Sequence, residues 1–148
     1  MSTKRVLFLC TGNYYRSRFA EELFNHYAKL ERIQWRASSR ALAIKRGREN
    51  VGPISQFVIE ALTDRNITPT GSSRFPLLCR IDDLQSADVV VALKEAEHRA
   101  LLAESFDGWQ DRVRYWHVHD IDVAKSGESI AMIDHLVRDL IRKIRTNP

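Results

Sequence analysis

Val6-Leu7-Phe8-Leu9-Cys10-Thr11-Gly12-Asn13-Tyr14-Tyr15-Arg16-Ser17-Arg18-Phe19-Ala20 passes from an apolar run through a polar turn into a helical pattern. Val6 to Cys10 has the length and composition of a strand covered on both faces. From Ser17 the apolar positions Phe19, Ala20, Leu23, Phe24 and Tyr27 keep to one helix face as far as about Glu31. A strand that turns directly into a helix opens a βαβ unit, so this stretch points to an α/β fold with a parallel sheet.

The same alternation continues outward. Ile33 to Ser38 reads as a second strand, followed by a long polar and basic connection from Ser39 to Gly52. Pro53 suits a first helical turn, and Ile54, Phe57, Val58, Ala61 and Leu62 follow at amphipathic spacing. Asp88 to Leu93 is a continuous apolar run that predicts a third strand, with a short helix expected over Glu95 to Leu102. Arg112 to Val118 predicts a fourth strand. Ile130, Ile133, Leu136, Val137, Leu140, Ile141 and Ile144 mark a closing helix, with Arg142, Lys143 and Arg145 near its negative end.

At 148 residues and 44% hydrophobic, the chain has the size of one domain, expected to span residues 1–148. Its 23 basic against 19 acidic side chains favour anionic ligands without naming one. The arginines are spread along the chain with neither a tight basic run nor a nucleic-acid motif, so no nucleic-acid partner is expected. Two cysteines are too few for a disulfide scaffold, and the apolar start ends at Thr11, short of a membrane span. A soluble, cytoplasmic protein is expected, with its oligomeric state open.

The turn from Cys10 to Ser17 has the form Cys-x5-Arg-Ser. A short loop ending on a helix start can aim successive backbone N–H groups inward as an anion nest, aided by the helix dipole. The same field favours a thiolate at its base. Gly12 and Asn13 tolerate the positive φ angles of such a turn. Arg16 supplies a planar fork for two phosphate oxygens, and Ser17 a hydroxyl for the sulfur. The plainer alternative is a small buried cysteine at a strand end. Gly12, Ser17, the strand before and the helix after argue together for the catalytic one.

The run VLFLCTGNYYRSRFAEELF resembles the start of the low-molecular-weight protein tyrosine phosphatases. The resemblance implies a three-layer αβα fold with a four-stranded parallel sheet, and hydrolysis of a phosphotyrosine protein or a small aryl phosphate through a cysteinyl-phosphate. It makes Cys10 the nucleophile, Arg16 the phosphate clamp, and Asn13 and Ser17 loop organisers. Thr11, Gly12, Asn13, Tyr14, Tyr15 and Ser17 would line the substrate site, where Tyr14 and Tyr15 can stack on an aryl group. The chain departs from the family pattern at Tyr15, where many members carry a second cysteine, at Arg18, where proline is usual, and at Lys94, near a usual aspartate.

A phenolate leaving group, with a conjugate-acid pKa of ~10, departs more easily if protonated, so an acid is expected opposite the thiolate. The family places it in an Asp-Pro pair after the last strand. Asp120 lies four residues after Trp116, matching a Trp-x-aliphatic-x-Asp pattern that the resemblance suggests, and is the choice here; Asp122 is the alternative, and Ile121 stands in place of proline. His117 and His119 do not complete His-x-His-x-Asp-His, so neither a metal nor another cofactor is expected. Cys10 and Asp120 both fall beyond the carboxyl ends of strands, where open α/β sheets bind ligands. Two other readings stay open: a thiol-dependent arsenate reductase, which needs resolving thiols, and a noncatalytic phosphoprotein-binding module.

Overall fold

The computed structural model describes residues 2–120 and 126–146. In chain order it places β1 (Lys4–Cys10), α1 (Arg16–Leu30), β2 (Trp35–Ala41), a 3-10 turn (Ile44–Gly47), α2 (Gln56–Asp64), α3 (Ile81–Ser86), β3 (Val89–Ala92), α4 (Glu95–Ser105), a second 3-10 turn (Trp109–Asp111), β4 (Arg114–Tyr115) and α5 (Ser126–Thr146). The four strands are parallel in the order β2-β1-β3-β4. The central strand β1 alternates faces. Val6, Phe8 and Cys10 join the core under α1, α2 and α5, while Leu7 and Leu9 pack with Leu84 of α3 and Leu101 and Leu102 of α4. Helices therefore cover both faces, as expected for the three-layer αβα fold.

Several boundaries differ from the sequence reading. Residues 31–33 close α1 rather than open a strand: Arg32 takes φ 55° and the Ile33 N–H returns to Ala28 O at 3.0 Å. β2 accordingly begins at Trp35 and keeps pairing with β1 through Ala41, opposite Cys10. Pro53 precedes α2 instead of starting it, because Ser55 caps the helix by accepting from the Phe57 N–H at 3.2 Å. The fourth strand shrinks to a two-residue ladder, extended by Trp116 N to Ala92 O and Val118 N to Leu93 O. The short helix α3 carries only one buried apolar residue, Leu84, and so left no periodic signal. Among the described residues no helix is long and apolar enough to cross a membrane.

The connection after β2 wraps the Cys10 loop. Leu42 N–H donates to Cys10 O and Ala43 N–H to Thr11 O, both at 2.9 Å, and Ser55 N–H donates to Tyr14 O at 3.1 Å. These bonds satisfy loop carbonyls that would otherwise lie buried and unpaired.

Candidate active site

Cys10 ends β1 and Arg16 begins α1, so the loop between them sits at the carboxyl edge of the sheet against a helix N-terminus. Asn13 alone in this loop takes a positive φ, 53°. Gly12 serves a different purpose: its backbone packs against Gly47, where an added Cβ would stand 3.5 Å from the Gly12 Cα and 2.8 Å from Asn50 Nδ2.

The Asn13 amide is the organiser behind the loop. Its Nδ2 donates to Ser17 Oγ at 2.8 Å and Ser39 Oγ at 2.9 Å, and its Oδ1 accepts from Arg74 Nη1 at 3.1 Å and Leu77 N at 3.2 Å. Ser17 Oγ, accepting from Asn13, lies 2.9 Å from Cys10 Sγ, so its own proton is free to point at the sulfur. Asn13 and Ser17 are fully buried. They shape the loop and do not line the pocket, which corrects their expected place at the substrate surface.

Arg16 is 2% exposed and held from three sides. Nη1 donates to Val118 O at 3.0 Å and to Glu97 Oε2 at 3.2 Å, while Nη2 lies 2.9 Å from Glu97 Oε1 and 3.6 Å from Asp120 Oδ2. Burial pulls the Arg16 pKa down, but the Glu97 hydrogen bond and the nearby charges of Cys10, Asp120 and Glu97 outweigh it and raise it. Glu97 is held well below the usual carboxylate range, first by the hydrogen bond from His98, against burial, and then by Arg16 and Thr11. Burial lowers the pKa of His98, partly offset by the Glu97 hydrogen bond. Since His98 Nδ1 accepts from Lys94 N at 3.0 Å, the network assigns the proton to Nε2, which faces Thr11 Oγ1 at 3.1 Å.

A pocket of about 340 Å³ opens over Cys10, Thr11, Gly12 and Arg16, walled by Tyr14, Phe57 and Asp120. Tyr14 is anchored there by its hydroxyl, which donates to Val51 O at 2.6 Å. Tyr15 touches the pocket but is only 5% exposed and belongs to the core, with burial raising its pKa and Ser129 as a hydrogen-bonding partner. Tyr14 and Phe57 give the pocket its more exposed aromatic wall, and Tyr15 lines it from the core side. The Asp120 side chain is 41% exposed, and Asp122 and Ile121 lie outside the described residues.

Glu97, Arg74 and Ser39 were not legible as site residues. Each lies far along the chain from the loop and in no motif. Arg18 is also buried, donating to the carbonyls of Asn13, Pro53, Gly71 and Arg74; desolvation lowers its pKa to about 10. Lys94 Nζ lies 2.8 Å from His119 Nδ1. His117 is exposed and stacks edge-on with His119 at 5.3 Å between ring centroids.

Cys79 sits in the other core layer from Cys10. Burial, aided by the Asp83 charge, pushes its thiol up to about 12. Cys10 pairs with Ala41, and Ala41 in turn bridges Leu78. Cys79 therefore stands about two strand spacings, roughly 9–10 Å, from Cys10.

A parallel sheet with helices on both faces and a Cys-x5-Arg-Ser anion loop at its carboxyl edge define a cysteine-dependent phosphatase. The chain belongs to the low molecular weight phosphotyrosine protein phosphatase family, whose model matches residues 5–145. It is 30% identical over 108 residues to a protein-arginine-phosphatase of Bacillus subtilis (strain 168), covering 73% of this chain and 67% of that protein. The low molecular weight protein tyrosine phosphatase from T. tengcongensis superposes with a TM-score of 0.78 at 27% identity, over 95% of this chain and 99% of that one. YfkJ from Bacillus subtilis superposes with a TM-score of 0.84 at 21% identity, over 99% of this chain and 97% of that one, and shares the fold. A thioredoxin-dependent arsenate reductase from Corynebacterium glutamicum has the same fold at a TM-score of 0.71 and 22% identity, over 99% of this chain and 64% of that one.

Proposed function

We propose that this protein hydrolyses phosphotyrosine-type monoesters, with Cys10 as nucleophile, Arg16 as the phosphate clamp and Asp120 as general acid. The observation that carries this reading is the convergence of Cys10, Arg16 and Asp120 on one pocket, with Asp120 Oδ2 3.6 Å from Arg16 Nη2.

In this mechanism the phosphoryl oxygens rest on the loop N–H groups and on Arg16, and the Cys10 thiolate attacks phosphorus from below. As the sulfur–phosphorus bond forms, the bond to the aryl oxygen breaks and Asp120 protonates the departing phenolate. Water then attacks the cysteinyl-phosphate with Asp120 accepting its proton, releasing inorganic phosphate and the thiolate. Ser17, held by Asn13, donates to the sulfur and eases its departure. Tyr14 and Phe57 wall the pocket with aromatic surface suited to a phenyl ring.

The name of the Bacillus subtilis relative favours phosphoarginine as a second substrate reading, with Asp120 pairing the guanidinium. The buried, high-pKa Cys79 weighs against a thiol relay of the arsenate-reductase kind. Assays of phosphotyrosine, phosphoserine, phosphoarginine and arsenate run side by side on one preparation test these readings. Turnover of phosphotyrosine above the others supports the proposal, fastest turnover of phosphoarginine replaces it, and binding without turnover of any substrate indicates a phosphoprotein-binding module.

A further inference from the structure

A second depression, of about 410 Å³, lies beside the pocket over Cys10 and shares Gly12, Gly47 and Asn50 with it. The two are separated by the place where the Gly12 and Gly47 backbones touch. Neither glycine carries a side chain there, and the Asn50 amide lies beside them, so the two hollows are neighbours across a boundary of two glycine backbones and one amide. The far hollow is lined by apolar groups, Ile44, Pro76 and a Phe75 that is 57% exposed, and by two cations, Lys45 and Arg48. Lys45, Arg46 and Arg48 are all exposed, and among the described residues none of the three forms an ion pair.

The hollow is also preformed. Arg74, which holds Asn13, donates to Phe75 O at 3.1 Å; Leu77 N–H donates to Asn13 Oδ1 and Leu77 O accepts from Ala41 N at 2.7 Å. The segment bearing Phe75 is thus tied both to the catalytic loop and to the edge of the sheet, and binding there need not order a loose chain. An extended peptide advances about 3.3 Å per residue, so a side chain within roughly three residues of the phosphorylated one reaches the second hollow.

We propose that this hollow is a docking subsite for a protein substrate, taking a bulky apolar side chain near the phosphotyrosine on a segment that also carries carboxylates. The proposal rests on the phosphotyrosine reading above and adds to it the chemistry of the flanking sequence: Leu or a similar residue against Phe75 and Pro76, and Asp or Glu facing Lys45 and Arg48.

Binding of phosphotyrosine peptides to Cys10→Ser protein decides this without requiring turnover. A series carrying Leu at one flanking position at a time, otherwise Ala, is compared in Cys10→Ser alone and in Cys10→Ser with Phe75→Ala. One Leu position should bind about tenfold tighter than its Ala counterpart, and Phe75→Ala should remove that gain while inorganic phosphate affinity stays the same. Replacing flanking Glu by Lys should weaken binding, and the joint change Lys45→Ala and Arg48→Ala should remove that difference. Equal affinities at every Leu position, a Leu preference that survives Phe75→Ala, or no binding of any peptide overturns the subsite. Wild-type turnover of the same peptides is read separately: its absence sinks the phosphatase reading, whereas the affinities still decide the hollow.

Discussion

Arg16 and Glu97 form a two-point ion pair, with Nη2 2.9 Å from Oε1 and Nη1 3.2 Å from Oε2. Glu97 lies in the first turn of α4, where a carboxylate is favoured by the helix dipole. The pair fixes the plane of the guanidinium before any phosphate arrives. We expect Glu97→Gln to lower kcat on an aryl phosphate roughly 10- to 100-fold through loss of this aim. Phosphate affinity should change far less, because the same substitution also removes a negative charge beside the anion site. Steady-state kinetics with phosphate as inhibitor check this; a wild-type kcat would remove Glu97 from any positioning role.

Cys10→Ser should abolish turnover while phosphate or vanadate still binds, since the loop and Arg16 survive the change. Hydrolysis at the wild-type rate would discard the nucleophile assignment. Arg16→Lys should be equally severe, because a point charge cannot reach Glu97 at two points and grip two phosphate oxygens as well. Calorimetry with inorganic phosphate reads the clamp directly: unchanged affinity in Arg16→Lys counts against it.

Asp120→Asn should slow aryl phosphates with poor leaving groups much more than those with good ones, because only the former need the proton. A plot of log kcat/KM against leaving-group pKa should steepen in this variant and not in Asp122→Asn. The reverse result would transfer the acid role to Asp122.

Peroxide should oxidise Cys10 without forming an internal disulfide. Cys79 lies in the other core layer, about two strand spacings away, beyond the ~7 Å Cα limit for a bridge. Tyr15, where many family members have a second loop cysteine, offers no thiol. Cys10 should therefore pass to sulfinic and sulfonic acids, with activity recoverable by thiols only early on and with bound phosphate protecting. Intact mass and peptide mapping test it; a dominant Cys10–Cys79 linkage would refute the geometry and revive a thiol relay.

Acid should destabilise the protein in two stages. His98 is buried with its pKa lowered, so below its unfolded value of about 6.5 the unfolded chain takes up a proton that the folded one resists. Glu97 likewise contributes stability that is fully present above its unfolded value of about 4.3 and lost as pH falls toward its depressed folded value. Urea midpoints should accordingly hold near neutral pH and fall on acidification. In Glu97→Gln the lower stage should flatten; an unchanged acid limb would mean that Glu97 carries no such linkage.

The choice of Asp120 came from the family resemblance, whereas the chain's own order was enough to place a parallel α/β sheet and the Cys10 loop between its first strand and helix. Those readings rest on short-range rules: side-chain period, the φ tolerance of Asn13, and the spacing of Cys10, Arg16 and Ser17 within one turn. The same rules misplaced the start of β2 and of α2, because a helix-closing turn and the Ser55 cap outweighed apolar content and proline preference. Tyr15 touches the pocket as expected, but packing in the core leaves it only 5% exposed. What only the tertiary structure decided is the set of groups that hold the loop in shape: Glu97 on Arg16 across 81 residues, Arg74 on Asn13 across 61, and Ser39 on Asn13 across 26. No local pattern encodes such pairs, since each depends on the twist and order of strands that bring distant segments to one edge, and a buried guanidinium or amide there accepts any partner whose polar atoms arrive at hydrogen-bonding distance.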